Sequence, residues 1–224
     1  MPNIQFKINI DEAVRYMGYR SAPDDHQLEQ IKEIALLLEN SLKPSYIYRV
    51  FSIEETEKGI KLNGTRLILT GKDIKKHLKD CDSVVLMCAT VSSKADEIIR
   101  AKEHEDIAQG FMTDCLASAA VEAVCNEIEN ELAARLSTKF FTWRFSPGYG
   151  DLPLDVQPHI LEVLNASKRT GITCNSSMML IPSKSVTAVI GLSDMPIDKG
   201  RRGCSVCNLS GECQFRKRGV HCGL

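Results

Sequence analysis

Apolar side chains recur along this chain with two different periods, and each switch of period marks an element. Ile4, Phe6, Ile8 and Ile10 alternate with Gln5, Lys7 and Asn9, which predicts a strand with one buried face. Asp11 is placed to cap a short helix over Glu12 to Met17, with Gly18 ending it. Leu28, Ile31, Ile34, Ala35, Leu38 and Leu42 return at helical spacing and predict a helix from about Asp24 to Leu42. Past Pro44, the runs Tyr46–Phe51, Gly59–Leu62 and Arg66–Leu69 read as extended segments, with Asn63-Gly64 turning a hairpin between the last two. Ser83 to Thr90 is apolar almost throughout, the composition of a central strand covered on both faces.

Two helical stretches follow, about Ser92 to Asp106 and Phe111 to Leu136. On the second, Leu116, Ala120, Val124, Ile128, Leu132 and Leu136 recur at every fourth residue, which makes it the longest helix. Phe140 to Phe145 reads as a strand, Val156 to Ala166 as a helix with Gly171 near its end, and Thr173–Leu180 and Ser185–Leu192 as two further strands. Strands and helices alternate with no Ser- or Pro-rich linker, so the pattern favours a single α+β or α/β domain over residues 1–193, followed by a polar, cysteine-bearing tail over 194–224.

Charge narrows the function. The 28 basic and 29 acidic side chains nearly cancel, leaving no overall positive field for nucleic acid or an anionic membrane. No apolar run approaches the roughly 20 residues that span a bilayer, and Met1-Pro2-Asn3 lacks the start of a signal peptide; the expectation is a cytosolic protein. There is no G-x-G-x-x-G after a strand, and Gly71-Lys72-Asp73 lacks the hydroxyl residue of a nucleoside-triphosphate loop.

The stretch Arg144-Phe145-Ser146-Pro147-Gly148-Tyr149-Gly150-Asp151-Leu152-Pro153 combines three chemistries. Arg144 offers a planar fork for a carboxylate, Gly148 and Gly150 let backbone approach a ligand, and Tyr149 adds a flat face with a polar tip. Such a loop suits a zwitterionic, aromatic-bearing small molecule. The alternative is a strand-to-helix turn in which Pro and Gly set backbone angles and Arg144 pairs with a surface acid.

Arg144, Gly148 and Tyr149 form Arg-x-x-x-Gly-Tyr; Ser177-Met178-Met179-Leu180-Ile181-Pro182-Ser183-Lys184-Ser185-Val186 and Val121-Glu122-Ala123-Val124 accompany it. With these three stretches the chain resembles the S-adenosylmethionine-binding activation domain of cobalamin-dependent methionine synthase. The resemblance runs from about the central strand to Leu192, and the region after Ser185-Val186 departs from the family, with Asp194 to Gly200 in place of a tyrosine-bearing segment. It implies an α+β fold with a mixed, largely antiparallel sheet and long packed helices. It also implies binding of S-adenosylmethionine and remethylation of oxidised cobalamin, with an electron from a flavodoxin-like donor. By the same resemblance Arg144 holds the methionine carboxylate, Ser146, Pro147, Gly148 and Tyr149 line the pocket, and Glu122 lies near the ligand or the corrinoid; a solvated helix face is the other reading of Glu122. Because the family's homocysteine, folate and cobalamin modules are not in this sequence, the corrinoid is expected on a partner protein or a truncated methionine synthase. A second reading is a non-catalytic module that senses S-adenosylmethionine or binds a corrinoid protein.

Cysteine usage adds a separate feature. Cys81, Cys88, Cys115, Cys125 and Cys174 sit in apolar or helical stretches and read as small buried hydrophobes. Cys204, Cys207, Cys213 and Cys222 crowd into the last 21 residues as C-x2-C-x5-C-x8-C, a set of four thiolates suited to zinc or an iron–sulfur cluster. Lys199, Arg201, Arg202, Arg216, Lys217 and Arg218 surround them. A reduced tail without metal is the alternative, and cytosolic redox conditions argue against a disulfide.

Overall fold

Residues 4–19, 21–137, 139–197 and 211–212 are described by the computed structural model. In chain order the elements are α1 (Ile10–Met17), α2 (Asp25–Ser41), β1 (Ser45–Thr56), β2 (Gly59–Leu62), β3 (Ile68–Leu69), α3 (Lys72–His77), β4 (Ser83–Thr90), α4 (Lys94–Glu105), α5 (Ile107–Arg135), β5 (Phe140–Phe141), a 3-10 turn (Leu154–Val156), α6 (Gln157–Leu164), α7 (Ala166–Thr170), β6 (Thr173–Cys174), β7 (Leu180–Ile181) and β8 (Ser185–Ser193). The fold is α+β. Its chain divides into two compact units made of interleaved segments, residues 1–44, 91–127 and 200–224 in one, and 45–90 with 128–199 in the other.

The first of these units is helical in its described part. Asp24 caps α2 reciprocally with Gln27, and α2 buries Ile31, Ile34, Ala35 and Leu38. Helix α2 packs against α1 and α4. The expected strand over Ile4–Ile10 does not form. Asn9 accepts from the Glu12 amide and starts α1 at Ile10, so Asn9 and not Asp11 is the cap, and the Ile8 amide donates to the Glu39 side chain of α2 at 2.7 Å. Its alternation describes an extended lead-in whose polar backbone is satisfied by a side chain rather than by a neighbouring strand.

The second unit is built on a six-stranded sheet ordered β3-β2-β1-β4-β8-β5, and every pairing in it is antiparallel. Strand β4 lies inside the sheet between β1 and β8, and its residues Val84 to Thr90 are all buried, as the unbroken apolar run predicts. On one face Val84, Leu86 and Cys88 join Phe51, Leu69, Ile74 and Val189 in a core capped by Ile160, Leu161, Leu164 and Ala166 from α6 and α7. Each fully buried side chain there contributes about 1.5–3 kcal/mol. Exposed pairs such as Lys94–Glu97 contribute at most about 1 kcal/mol, so burial decides the fold.

Three departures from the sequence reading shape the functional region. Phe140 to Phe145 pairs as a strand only at Phe140 and Phe141, because the Thr142 hydroxyl accepts from Gly191 where a backbone carbonyl would continue the ladder. Pairing resumes at Phe145, which exchanges both backbone hydrogen bonds with Val189 at 2.9 Å. Thr173 to Leu180 is not one strand: the Asn175 side chain accepts from the Ser177 and Met179 amides and folds the run into the β6–β7 hairpin. Helix α3, absent from the sequence reading, is capped from far away, since the Asp151 carboxylate accepts from the amides of Lys72 at 2.6 Å and Asp73 at 2.9 Å.

Two consequences are measurable. A Cβ at Gly191 would stand 2.8 Å from Leu78 Cδ2 and 2.9 Å from Thr142 Cγ2, with Cys81 Sγ nearer still, so Gly191→Ala is expected to cost about 1–3 kcal/mol, read as a lower urea midpoint at unchanged slope. The two amides hold the Asp151 carboxyl below its ordinary range. A depressed carboxyl stabilises the fold above its unfolded pKa and loses that contribution as pH falls through the folded one. Asp151→Ala should therefore melt below the wild type at neutral pH, and the gap should close as the pH drops below the usual aspartate range.

Candidate functional site

The Arg144–Pro153 stretch leaves the sheet at the Phe145–Val189 pair and folds back on itself. Tyr149 donates its amide to the Ser146 carbonyl, Gly148 to that of Leu152, and Leu152 to that of Tyr149. Gly148 and Gly150 take φ values of 83° and 55°, which favour glycine. At Gly150 the restriction is also spatial, because a Cβ would meet Asp73 Oδ2 at 2.5 Å. Pro147 is buried beneath the turn and Ser146 half-buried, while Gly148 and Tyr149 are exposed. The Tyr149 ring, 55% exposed, stands edge-on to Phe145 with centroids 5.4 Å apart. Phe145 in turn packs against His77, whose Nε2–H donates to the Trp143 carbonyl at 2.9 Å. The four pocket residues expected from the resemblance thus share one turn.

Arg144 is engaged by an acid. Its guanidinium donates to the carboxylate of Glu129 on α5, and the two side chains are 14% and 32% exposed. Two residues further along α5, Glu131 accepts from the Tyr46 hydroxyl at 2.5 Å and from Tyr48 at 3.1 Å, and pairs with Arg135 at 2.9 Å. Tyr46 and Tyr48 stand opposite Ala89 and Met87, so they share the sheet face away from α6 and α7 and pin α5 to it. Burial first, then the Glu131 hydrogen bonds and charge, push both phenols above their ordinary pKa. Ile128 and Leu132, fully buried, complete the fixing of this stretch. Sequence reasoning missed Glu129 and Glu131; their signal was only that α5's apolar every-fourth-residue stripe leaves them off its buried face.

Gln157 links the loop to the second of the three stretches that carry the resemblance. It is the first residue of α6, directly after the loop and its 3-10 turn, and it is buried. Its amide nitrogen donates to the Met178 carbonyl at 2.5 Å and its oxygen accepts from the Thr187 hydroxyl at 2.9 Å. Met178 itself sits at φ 63°, so the Ser177–Val186 segment is held in a specific turn ahead of β8.

Glu122 belongs to the helical unit, where its charge, after burial and the Glu12 hydrogen bond and charge, helps to raise the Tyr16 phenol. Cys204, Cys207, Cys213 and Cys222 lie outside the described residues. Cys88, Cys115 and Cys125 are buried as expected, and Cys81 and Cys174 half-buried; burial pushes the Cys81 and Cys88 thiols up to about 11. Among the described residues no cluster of His, Cys, Asp or Glu is arranged to hold a metal, and no helix is long and apolar enough to cross a membrane. A concavity of about 550 Å³ at the α4–α5 corner is lined by Arg100, Glu103, His104, Glu105, Asp106 and Ile107.

No protein-family model and no curated protein matches the chain. Solved structures do. One described as the MetH reactivation domain bound to AdoHcy aligns with a TM-score of 0.60 at 15% identity, over 98% of this chain and 89% of that one. The chain has the fold of that reactivation domain.

Proposed function

We propose that the protein binds S-adenosylmethionine and supports reductive remethylation of a corrinoid carried by a partner. The observation that carries this reading is the fold likeness, nearly end to end, to a domain described with AdoHcy bound, the product left when S-adenosylmethionine gives up its methyl group. The residues fit such a ligand. Arg144 supplies a guanidinium for the amino-acid carboxylate, Gly148 an exposed backbone, and Tyr149 an exposed ring, all on one turn tied to β8. By the resemblance, Glu122 is proposed to lie near the ligand or the corrinoid.

S-adenosylmethionine supplies a methyl group on a positively charged sulfur. In the reaction the carbon–sulfur bond breaks with its electron pair remaining on sulfur, and the methyl carbon bonds to cobalt of the reduced corrinoid, which is the substrate. One electron from a flavodoxin-like donor first brings the oxidised corrinoid to the nucleophilic state. No side chain has to move a proton, so the protein's part is to hold the donor in line and keep water out. The corrinoid-binding part of a methionine synthase, or a separate corrinoid protein, is the proposed partner, in the cytosol. The four C-terminal cysteines are proposed as ligands of zinc or an iron–sulfur cluster, the latter a local route for the electron.

Incubating the protein with methyl-labelled S-adenosylmethionine, a reduced corrinoid protein and an electron donor should place label on cobalt. Arg144→Ala should weaken S-adenosylmethionine binding by about tenfold or more, as loss of a charge-assisted hydrogen bond does. Binding without label transfer would leave the sensing module as the better reading. Metal analysis of anaerobically purified protein should find zinc or iron with sulfide, lost in Cys204→Ser with Cys207→Ser; zinc at one equivalent without iron would end the electron-route proposal.

A further inference from the structure

The residue that deepens this site is Glu129. Both partners of the Arg144–Glu129 pair are held by their backbones: Arg144 precedes the doubly bonded Phe145, and Glu129 lies between fully buried Ile128 and the tyrosine-clamped Glu131. The pair is therefore presented rather than found by chance contact of long side chains on a free surface. Arg144 is also largely shielded, and taking away the partner of a shielded charge is costly.

That cost selects among ligands. A molecule offering only a carboxylate must share the guanidinium with Glu129 or push it aside, which sets two anions against one cation. An α-amino acid brings an ammonium and a carboxylate on adjacent atoms. Its carboxylate can meet Arg144 while its ammonium meets Glu129, and the protein's own pair stays in place with each charge facing its opposite. The exposed ring of Tyr149 and backbone of Gly148 border the same turn and are left for the remainder of the molecule.

We propose that Glu129 is the ammonium acceptor of the ligand site, and that with Arg144 it reads the zwitterionic end of the ligand and rejects simple carboxylates. This rests on the reading of the Arg144 turn as the S-adenosylmethionine site. The binding role falls on an acid of α5 that lies outside all three stretches carrying the sequence resemblance.

Calorimetry with S-adenosylhomocysteine and with its analogue lacking the α-amino group tests it. The wild type should prefer the amino-bearing ligand by about tenfold or more, and Glu129→Gln should abolish most of that preference by weakening the zwitterion and strengthening the deaminated analogue. Glu129→Asp, which keeps the charge, should retain part of the preference, and thermal unfolding should show all three proteins folded. An unchanged ratio in Glu129→Gln overturns the assignment of Glu129 while leaving the ligand site standing. Failure of the wild type to bind S-adenosylhomocysteine overturns the ligand site itself and Glu129's role with it.

Discussion

Phe145 and Val189 exchange two backbone hydrogen bonds, and the candidate site depends on that single pair. Strand β5 is only two residues long, and at Thr142 the ladder keeps just one backbone bond, the Thr142 amide to Gly191, so without the pair at Phe145 the arginine beside it would hang from irregular chain. Fixing a residue's backbone costs about 1–2 kcal/mol, and a hydrogen bond returns only about 1 kcal/mol net. Hydrogen bonds alone therefore barely hold Arg144. Burial of the Phe145 ring against His77 and the core, worth about 1.5–3 kcal/mol, tips the balance and makes the phenylalanine the anchor of the turn.

The two readings of that turn, backbone geometry and ligand grip, divide its residues between them. Gly150 is required by the approach of Asp73, Asp151 by the open amides of α3, and Pro147 by its buried place under the turn. These residues would be there in a turn with no ligand. Tyr149 is different. Its large aromatic ring is left 55% exposed, perpendicular to that of Phe145, and on the proposed reading it is the part of the turn that meets a ligand.

What could be read from sequence follows how far each determinant lies along the chain. Helix α2 was legible because its cap, Asp24 with Gln27, and its apolar stripe are adjacent in sequence. Strand β4 was legible because burial on both faces leaves an unbroken apolar run. Helix α3 was not, since its cap is a carboxylate 79 residues away. The strand read at Ile4–Ile10 failed for the converse reason: alternation is local, but a strand exists only where another offers its edge, and here Glu39 takes the amide instead. At the site, Arg144, Gly148 and Tyr149 were legible as a motif because one turn contains them. Glu129 was invisible, because nothing in a helical sequence says which of its several acids will meet an arginine beyond the following strand.

On the proposed reading, in which the ligand is S-adenosylmethionine, a paired arginine also suits a molecule that changes charge in the reaction. S-adenosylmethionine carries a positive sulfonium that becomes a neutral thioether once the methyl is gone. A lone, shielded guanidinium close to that sulfur would favour the neutral product over the cationic donor, the wrong bias for a site that must take up the donor. Glu129 offsets the guanidinium's charge at short range. The preference between donor and product is then free to be set elsewhere in the proposed site, where an exposed aromatic ring such as that of Tyr149 would favour a cation over a neutral thioether. On this reading the acid on α5 does two things with one charge: it recognises the ammonium, and it keeps the arginine from opposing the proposed cationic donor.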